Sequence, residues 1–362
     1  ILKKNALTRK LLMMGPDCGT AIVNGVPLGF ANKVKKGNIG IVAASGTGLQ
    51  QVSCLIDRWG GGVSQAIGTG GRDLNADVGG ITMMFGIDAL VADRNTSVIV
   101  VISKPPSPKV AEAIFKKVST SAKPVVVNFL SDTGNSTSTK LIKETKTLEE
   151  TAYTAVCLAG IDVEAPARHL VTPAELGSLT NSLSGTQRYL RAIYSGGTFG
   201  FEAITILSES LEKIHSTTPL SPEDSLSDPW QSKGHTVLDL GSDVFTRGRP
   251  HPMIDHSLRN KRMIQEAKDP ETAIILLDIV LGFGSHQNPA KDMAAAITQA
   301  REVATGHEPI FIGFVCGTNA DPQKLIMQEK MLSDVGVLLM ESNAQAVRLT
   351  GDIISGLEAK MA

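Results

Sequence analysis

The stretch GNIGIVAASGTGLQQVSCLIDRWG, residues 37–60, decides the fold. Residues 39–45 are a short apolar run ending in small side chains, and the residues that follow put Leu49, Val52, Leu55 and Ile56 on one helical face. This predicts a strand, a glycine turn and a helix. The alternation continues with apolar runs at 63–67, 98–102 and 124–129 and helical periods at 78–91 and 108–118. Strands separated by helical patterns predict βαβ crossovers and a parallel sheet.

The second half repeats the plan, with strands predicted at 191–194, 235–240, 273–280, 309–314 and 335–340. Helices are predicted near 253–267, at 289–304, near 322–332 and at the end of the chain. Four segments recur in the same order: SGTG at 45–48 and SGGT at 195–198, GRD at 71–73 and GRP at 248–250, DRNTSVIVVI at 93–102 and DPETAIILLD at 269–278, KPVVVNF at 123–129 and EPIFIGF at 308–314. Matches in constant order indicate two copies of one α/β domain. Between them, 131–190 opens on the Ser/Thr-rich SDTGNSTSTK and then carries one amphipathic helix near 148–159, read as a helical linking subdomain. Residues 215–234, rich in Ser and Pro and without an apolar period, are expected to be a mobile insertion in the second copy.

With 362 residues and 42% apolar side chains, the chain can bury two or three cores. Thirty-five Lys and Arg balance 36 Asp and Glu, with no basic stripe, which argues against a nucleic-acid partner. Cys18, Cys54, Cys157 and Cys316 are far apart and form no zinc or redox spacing, so a reducing cytoplasm is expected. No apolar run is long enough for a membrane helix. The chain opens at Ile1 in what reads as the tail of an element, so 1–37 is expected to close a domain lying further upstream.

In an open parallel sheet, ligands lie beyond the carboxyl ends of the strands. Ser45, Gly46, Thr47 and Gly48 in the first copy, and Ser195, Gly196, Gly197 and Thr198 in the second, fall there at helix starts. Unpaired N–H groups, a partial positive charge and glycines that admit an anion make each loop a candidate phosphate cradle. The same glycines also suit a plain tight turn. Neither loop has the P-loop lysine or the full GxGxxG, so no direct ATP or NAD site is indicated. Ser45 in AASGT also has the outline of a nucleophile elbow, without an oxyanion motif.

Elsewhere His251 and His256 in HPMIDH are five apart, too wide for a metal pair on one helical face, and no metal site is expected. Arg247 and Arg249 carry forked donors suited to phosphate or carboxylate. His286 and Asn319 follow strands at their carboxyl ends. Asn319, Arg249 and His286 are the catalytic candidates, each with an ordinary alternative as a loop residue or helix cap.

At these residues the chain resembles succinyl-CoA synthetase and other NDP-forming acyl-CoA synthetases. GPDCGTAIVNG (15–25), GNIGIVAASGTGLQ (37–50) and DRNTSVIVVISKP (93–105) resemble segments of the alpha subunit, while SGGTFGFEA (195–203), LDLGSD (238–243) and CGTNADPQKLIMQEKMLSDVGV (316–337) resemble segments of the beta subunit. The resemblance implies two flavodoxin-like domains, alpha-like at 38–130 and beta-like at 191–362, and makes 1–37 the tail of a missing Rossmann-like CoA-binding-type domain. That family phosphorylates a histidine, but after KPVVVNFL this chain reads SDTGNSTSTK, with no histidine, and the orienting glutamate gives way to the SKPP segment near Lys104. The fused halves resemble the FdrA family, associated with bacterial purine and allantoin breakdown. That resemblance implies carbamoyl transfer from oxalurate to phosphate, giving oxamate and carbamoyl phosphate, with partner subunits and a possible homodimer. Phosphate or carbamoyl phosphate is then the ligand. The alternatives are an acyl-CoA synthetase using CoA and ADP or ATP, with His286 or His251 as the phosphorylated group, and an inert anion-binding scaffold.

Overall fold

The computed structural model describes residues 1–130, 139–168 and 171–361, and the chain divides into two compact units. The first is Ile1–Pro166 with Gly282–Gly284; the second is Ala167–Leu281 with Ser285–Ala362. Among the described residues no helix is long and apolar enough to cross a membrane.

The first unit runs α1 (Leu2–Thr8), β1 (Thr20–Val23), β2 (Val26–Gly29), β3 (Lys36–Ala43), α2 (Gly46–Arg58), β4 (Val63–Gly68), α3 (Ile81–Ala92), β5 (Val98–Ile102), α4 (Pro108–Val118), β6 (Val125–Asn128), β7 (Ile142–Glu144) and α5 (Leu148–Leu158). Its sheet has the order β2-β1-β4-β3-β5-β6-β7. From β4 onward neighbours pair in parallel, in the doubly wound order 2-1-3-4-5, while the β1–β2 hairpin adds antiparallel to β4. Val98–Ile102 is buried along its whole length, as expected of a strand covered by helices on both faces.

The second unit runs α6 (Pro173–Ser182), β8 (Tyr189–Tyr194), α7 (Gly197–Leu207), β9 (Ile214–Ser216), β10 (His235–Asp239), α8 (Asp243–Thr246), α9 (Ser257–Ala267), β11 (Thr272–Val280), α10 (Pro289–Val303), β12 (Ile310–Cys316), α11 (Leu325–Ser333), β13 (Leu338–Met340) and α12 (Asn343–Met361). All six strands are parallel, in the order β13-β12-β11-β8-β10-β9. Without β9 this is again 2-1-3-4-5, so the two predicted copies share one winding. All nine residues of β11 are buried. Met263 and Ala267 of α9, with Ile297 and Ala300 of α10, pack with Ile275 and Leu277 of β11 in one apolar cluster.

Two expected boundaries are corrected. Residues 1–37 do not stand apart as a tail. Asn24 and Gly25, with φ of 52° and 81°, form the two-residue hairpin turn whose strands extend the first sheet. The buried Lys3 ammonium reaches Asp73 Oδ1 and the Thr69 carbonyl, both at 2.7 Å. The 131–190 linker is shared out: β7 is the edge strand of the first sheet, α5 packs on α2, and α6 packs on α12 in the second unit. Its opening, 131–138, lies outside the described residues. Within the expected insertion at 215–234, the Pro229 carbonyl accepts from Arg262 Nη1 at 3.0 Å, Ser232 Oγ donates to Glu266 at 2.7 Å, and Trp230 packs edge-on to Phe245 with centroids 5.0 Å apart. Polar anchors do there what an apolar face does elsewhere.

His235, at the start of β10, illustrates how burial sets charge. Its Nδ1 accepts from the Leu190 N–H at 3.2 Å and its side chain is 12% exposed. Burial first, then the Arg191 guanidinium, lower its pKa from 6.5 to about 4. The folded chain therefore keeps this imidazole neutral while the unfolded chain binds a proton below about pH 6.5, so stability falls as pH drops toward 4. Between pH 7 and pH 5 this group should remove about 2 kcal/mol. Urea unfolding should show that His235→Gln loses that much less over the same interval.

Candidate active site of the second unit

In a doubly wound sheet the crevice opens where the winding reverses, here beyond the carboxyl ends of β8 and β11. Ser195 follows β8 there. Its N–H donates to Asp278 Oδ1 at 2.8 Å and its hydroxyl donates to Asp278 Oδ2. Asp278 lies near the end of β11 with no exposure. Such a carboxylate is costly unless paired. Arg259, reaching in from α9 and 1% exposed, places Nη2 at 2.8 Å from Asp278 Oδ1 while its Nε donates to the Ile193 carbonyl at 3.0 Å. The turn is thus clamped from below by a neutralised carboxylate.

Gly196 begins α7 as an N-cap with extended backbone, φ −141° and ψ 127°, and no side chain caps this helix. Beside it, Asp239 Oδ1 accepts from the Gly241 N–H at 3.0 Å. A methyl group on Gly241 would lie 2.8 Å from both the Ser195 carbonyl oxygen and His251 Nε2, so only glycine fits. Burial lowers the His251 pKa against the opposing pull of Asp278, keeping the imidazole neutral. Its Nδ1 accepts from the Met253 N–H at 3.2 Å, which leaves the ring proton on Nε2, facing the Gly241 turn.

The loop of the first unit is built differently. Ser45 caps α2, its Oγ accepting from the Gly48 N–H at 2.8 Å, and a Cβ on Gly48 would come within 2.6 Å of that oxygen. A cap accounts for Ser45 and Gly48 without a ligand. Gly46 and Thr47 open the helix with Thr47 buried. The backbone of Ser45 is ordinary extended chain, φ −109° and ψ 118°, not the strained turn of a nucleophile elbow.

The three catalytic candidates are not brought to the Ser195 turn. Asn319 Oδ1 accepts from the Ile326 N–H at 3.1 Å and serves the start of α11. Arg249 is exposed and lies 5.8 Å over the Trp230 ring, at a cavity of about 440 Å³ also lined by Phe245, Asp255, Leu258 and Lys261. His286 joins His256 and Asp292. Sequence reasoning missed Asp278 and Arg259. The signal for Asp278 was one charge in the otherwise apolar TAIILLDIV of β11.

A CoA-ligase family profile matches residues 193–353, which contain this site, and a CoA-binding-domain profile matches 34–130. The uncharacterized protein YahF of Escherichia coli (strain K12) is 42% identical over 355 residues, 98% of this chain and 69% of YahF. The chain belongs to the family of YahF. It carries one region that matches the CoA-binding-domain profile and one that matches the CoA-ligase profile. The CoA-binding match falls on the first unit itself.

Among solved structures, the chain is similar to the dinucleotide-forming acetyl-coenzyme A synthetase 1 of Ca. Korarchaeum cryptofilum in complex with phosphate and ADP, at 15% identity and TM-score 0.34, covering 99% of this chain and 74% of that one. It is also similar to PH0766 from Pyrococcus horikoshii OT3, at 14% identity and TM-score 0.32, covering 99% and 73%.

Removing one partner of a buried ion pair leaves an uncompensated charge and costs about 3–5 kcal/mol. Asp278→Leu alone should therefore destabilise the protein by about that amount. Adding Arg259→Leu should recover more than half of the loss in denaturant unfolding.

Proposed function

We propose that the chain is a ligase of the acyl-CoA synthetase type whose second unit seats a phosphoryl or acyl-phosphate group at the start of α7. The observation that carries this reading is the clamped Ser195 turn, inside the CoA-ligase region and at the winding reversal of its sheet. Gly196, Gly197 and Thr198 would face the anion through backbone amides and the Thr198 hydroxyl. Arg259 cancels the Asp278 charge beneath them, so the helix start sets the local field. The first unit would hold CoA, in keeping with its CoA-binding region, and ADP or ATP would be the nucleotide.

A second reading, carbamoyl transfer of the FdrA kind from oxalurate to phosphate, is favoured by the histidines. The segment after KPVVVNFL carries none. At His251, Nδ1 accepts a backbone N–H and Nε2 holds the proton; at His286, Nδ1 accepts from the Asn288 N–H at 3.2 Å and Nε2 faces Asp292 at 3.2 Å. In both rings Nδ1 is taken by a backbone N–H, which suits chemistry that needs a bound phosphate but no phosphohistidine. Partner subunits and a homodimer belong to this reading, as does a cytoplasmic location.

Gly197→Pro tests the seat. Proline is accepted at the first helical position, and the extended Gly196 before it meets proline's requirement on the preceding residue. The change removes one amide donor and keeps α7. In calorimetric titrations it should weaken phosphate or carbamoyl phosphate binding about tenfold, as expected for one hydrogen bond to a charged group, and leave the CoA Kd unchanged. CoA- and ADP-dependent turnover of acyl phosphate would favour the ligase, and CoA-independent carbamoyl phosphate formation from oxalurate the transferase. Absence of phosphate binding in the wild type would overturn both.

A further inference from the structure

Two irregular connections of the second unit, 217–234 between β9 and β10 and 240–256 between β10 and α9, come together on one side of its sheet. Loops longer than ~12–15 residues with little regular structure are uncommon, and function is a usual reason for them. Trp230 from the first connection and Phe245, Arg249 and Pro252 from the second line one cavity of about 440 Å³, which Lys261 of α9 also lines.

The floor of this cavity is apolar and fixed. Phe245 is buried within the apolar cluster around β11, and Trp230 stands against it with 41% of its own surface exposed. The backbone beneath Trp230 is set by Asp228 Oδ1, which accepts the Trp230 N–H at 2.9 Å, and by Arg262 on the Pro229 carbonyl. Two exposed cations complete the lining. The Arg249 guanidinium lies 5.8 Å over the Trp230 ring, and among the described residues neither Arg249 nor Lys261 has a carboxylate partner or a side-chain hydrogen bond. Asp255, the one carboxylate of the lining, accepts the Ser257 N–H at 2.8 Å, and that bond holds its pKa below the usual carboxylate value.

We propose that this cavity binds a small aromatic anion, a flat ring lying against Trp230, Phe245 and Pro252 and bearing a carboxylate or phosphate that Arg249 and Lys261 meet. The volume falls in the ~300–1,000 Å³ range of small-molecule sites, and apolar walls with a few polar groups are their usual make-up. A bare anion would leave the apolar walls wet, and a neutral ring would leave both cations without a counter-charge, so the lining calls for both parts in one molecule. Stacking on Trp230 sets the plane of the Arg249 fork, and a forked guanidinium pairs with carboxylate or phosphate through two bonds. Asp255 repels a second negative group, which restricts the charge to one end of the ring. Arg249 and Lys261 take no part in the Ser195 turn, so the two sites stand or fall separately.

Trp59 and Trp230 are the two tryptophans of the chain, so a Trp59→Phe background makes Trp230 the fluorescent reporter of its own cavity. Benzoate presents a ring with a carboxylate, and AMP a ring with a phosphate. At least one of them should shift the Trp230 emission saturably with a Kd below about 1 mM, and the one that does identifies the acidic group. Inorganic phosphate should compete at least about tenfold more weakly, because it fills none of the apolar wall. Arg249→Gln and Lys261→Gln, both on exposed side chains, should each weaken binding about tenfold and leave Tm unchanged. No saturable shift with either ligand, equal competition by inorganic phosphate, or a Kd unchanged in both charge variants would overturn the proposal and leave Arg249 as a surface cation resting on Trp230.

Discussion

A carboxylate without exposure at the end of a nine-residue apolar strand is a costly thing to fold around, and the second unit is organised by how Asp278 is accommodated. Its oxygens take the N–H and hydroxyl of Ser195 and the guanidinium of Arg259. Arg259 in turn holds the Ile193 carbonyl, so β8, β11 and α9 are tied by one set of charge-assisted bonds. Loss of one member exposes the others to the full desolvation cost. Such a network fixes the Ser195 turn far more firmly than an apolar contact of the same size, and preorganised donors are what an anion seat requires.

The first unit reaches the same winding without that network. Its helix start is satisfied by Ser45 itself, and its buried charge lies elsewhere, where Lys3 meets Asp73 and Asp73 accepts the Thr82 and Met83 N–H groups at the start of α3. The two units share the backbone path and the glycines, but not the electrostatics. The two loops look alike as sequence, SGTG and SGGT, yet one is closed by its own hydroxyl and the other has its hydroxyl turned down toward an aspartate. That difference is why the second unit carries the stronger case for a ligand site.

Much of the fold was legible because parallel strands buried on both faces read as short apolar runs. Val98–Ile102 and Pro108–Val118 match their expected bounds, and the shared order of the two sheets follows from the repeats. What was not legible was held by polar contacts. The Asn24–Gly25 turn carries a hairpin signal, but its strands of four residues, one partly polar, give too little periodicity to register. Residues 215–234 have no apolar face because Arg262 and Glu266 anchor them. At the site, Asp278 and Arg259 are separated by 19 residues and meet only through the packing of α9 on β11. Spacing on one element carries no information about such a pair.

The same limit explains how the histidines were read. The five-residue step from His251 to His256 rules out a shared helical face, but neither residue is in a helix, and each meets a different partner. His251 turns to the Gly241 loop, while His256 meets His286 and Asp292 from beyond β11. A crossover sheet gathers the carboxyl ends of β8, β10 and β11 on one edge, so residues far apart in sequence converge there whatever their spacing. The Ser195 turn, the neutral imidazole of His251 and the His256 cluster all follow these three strand ends. For a fold of this kind, the informative question about a lone histidine or aspartate is which strand end it follows, because the topology then decides which other side chains it can meet.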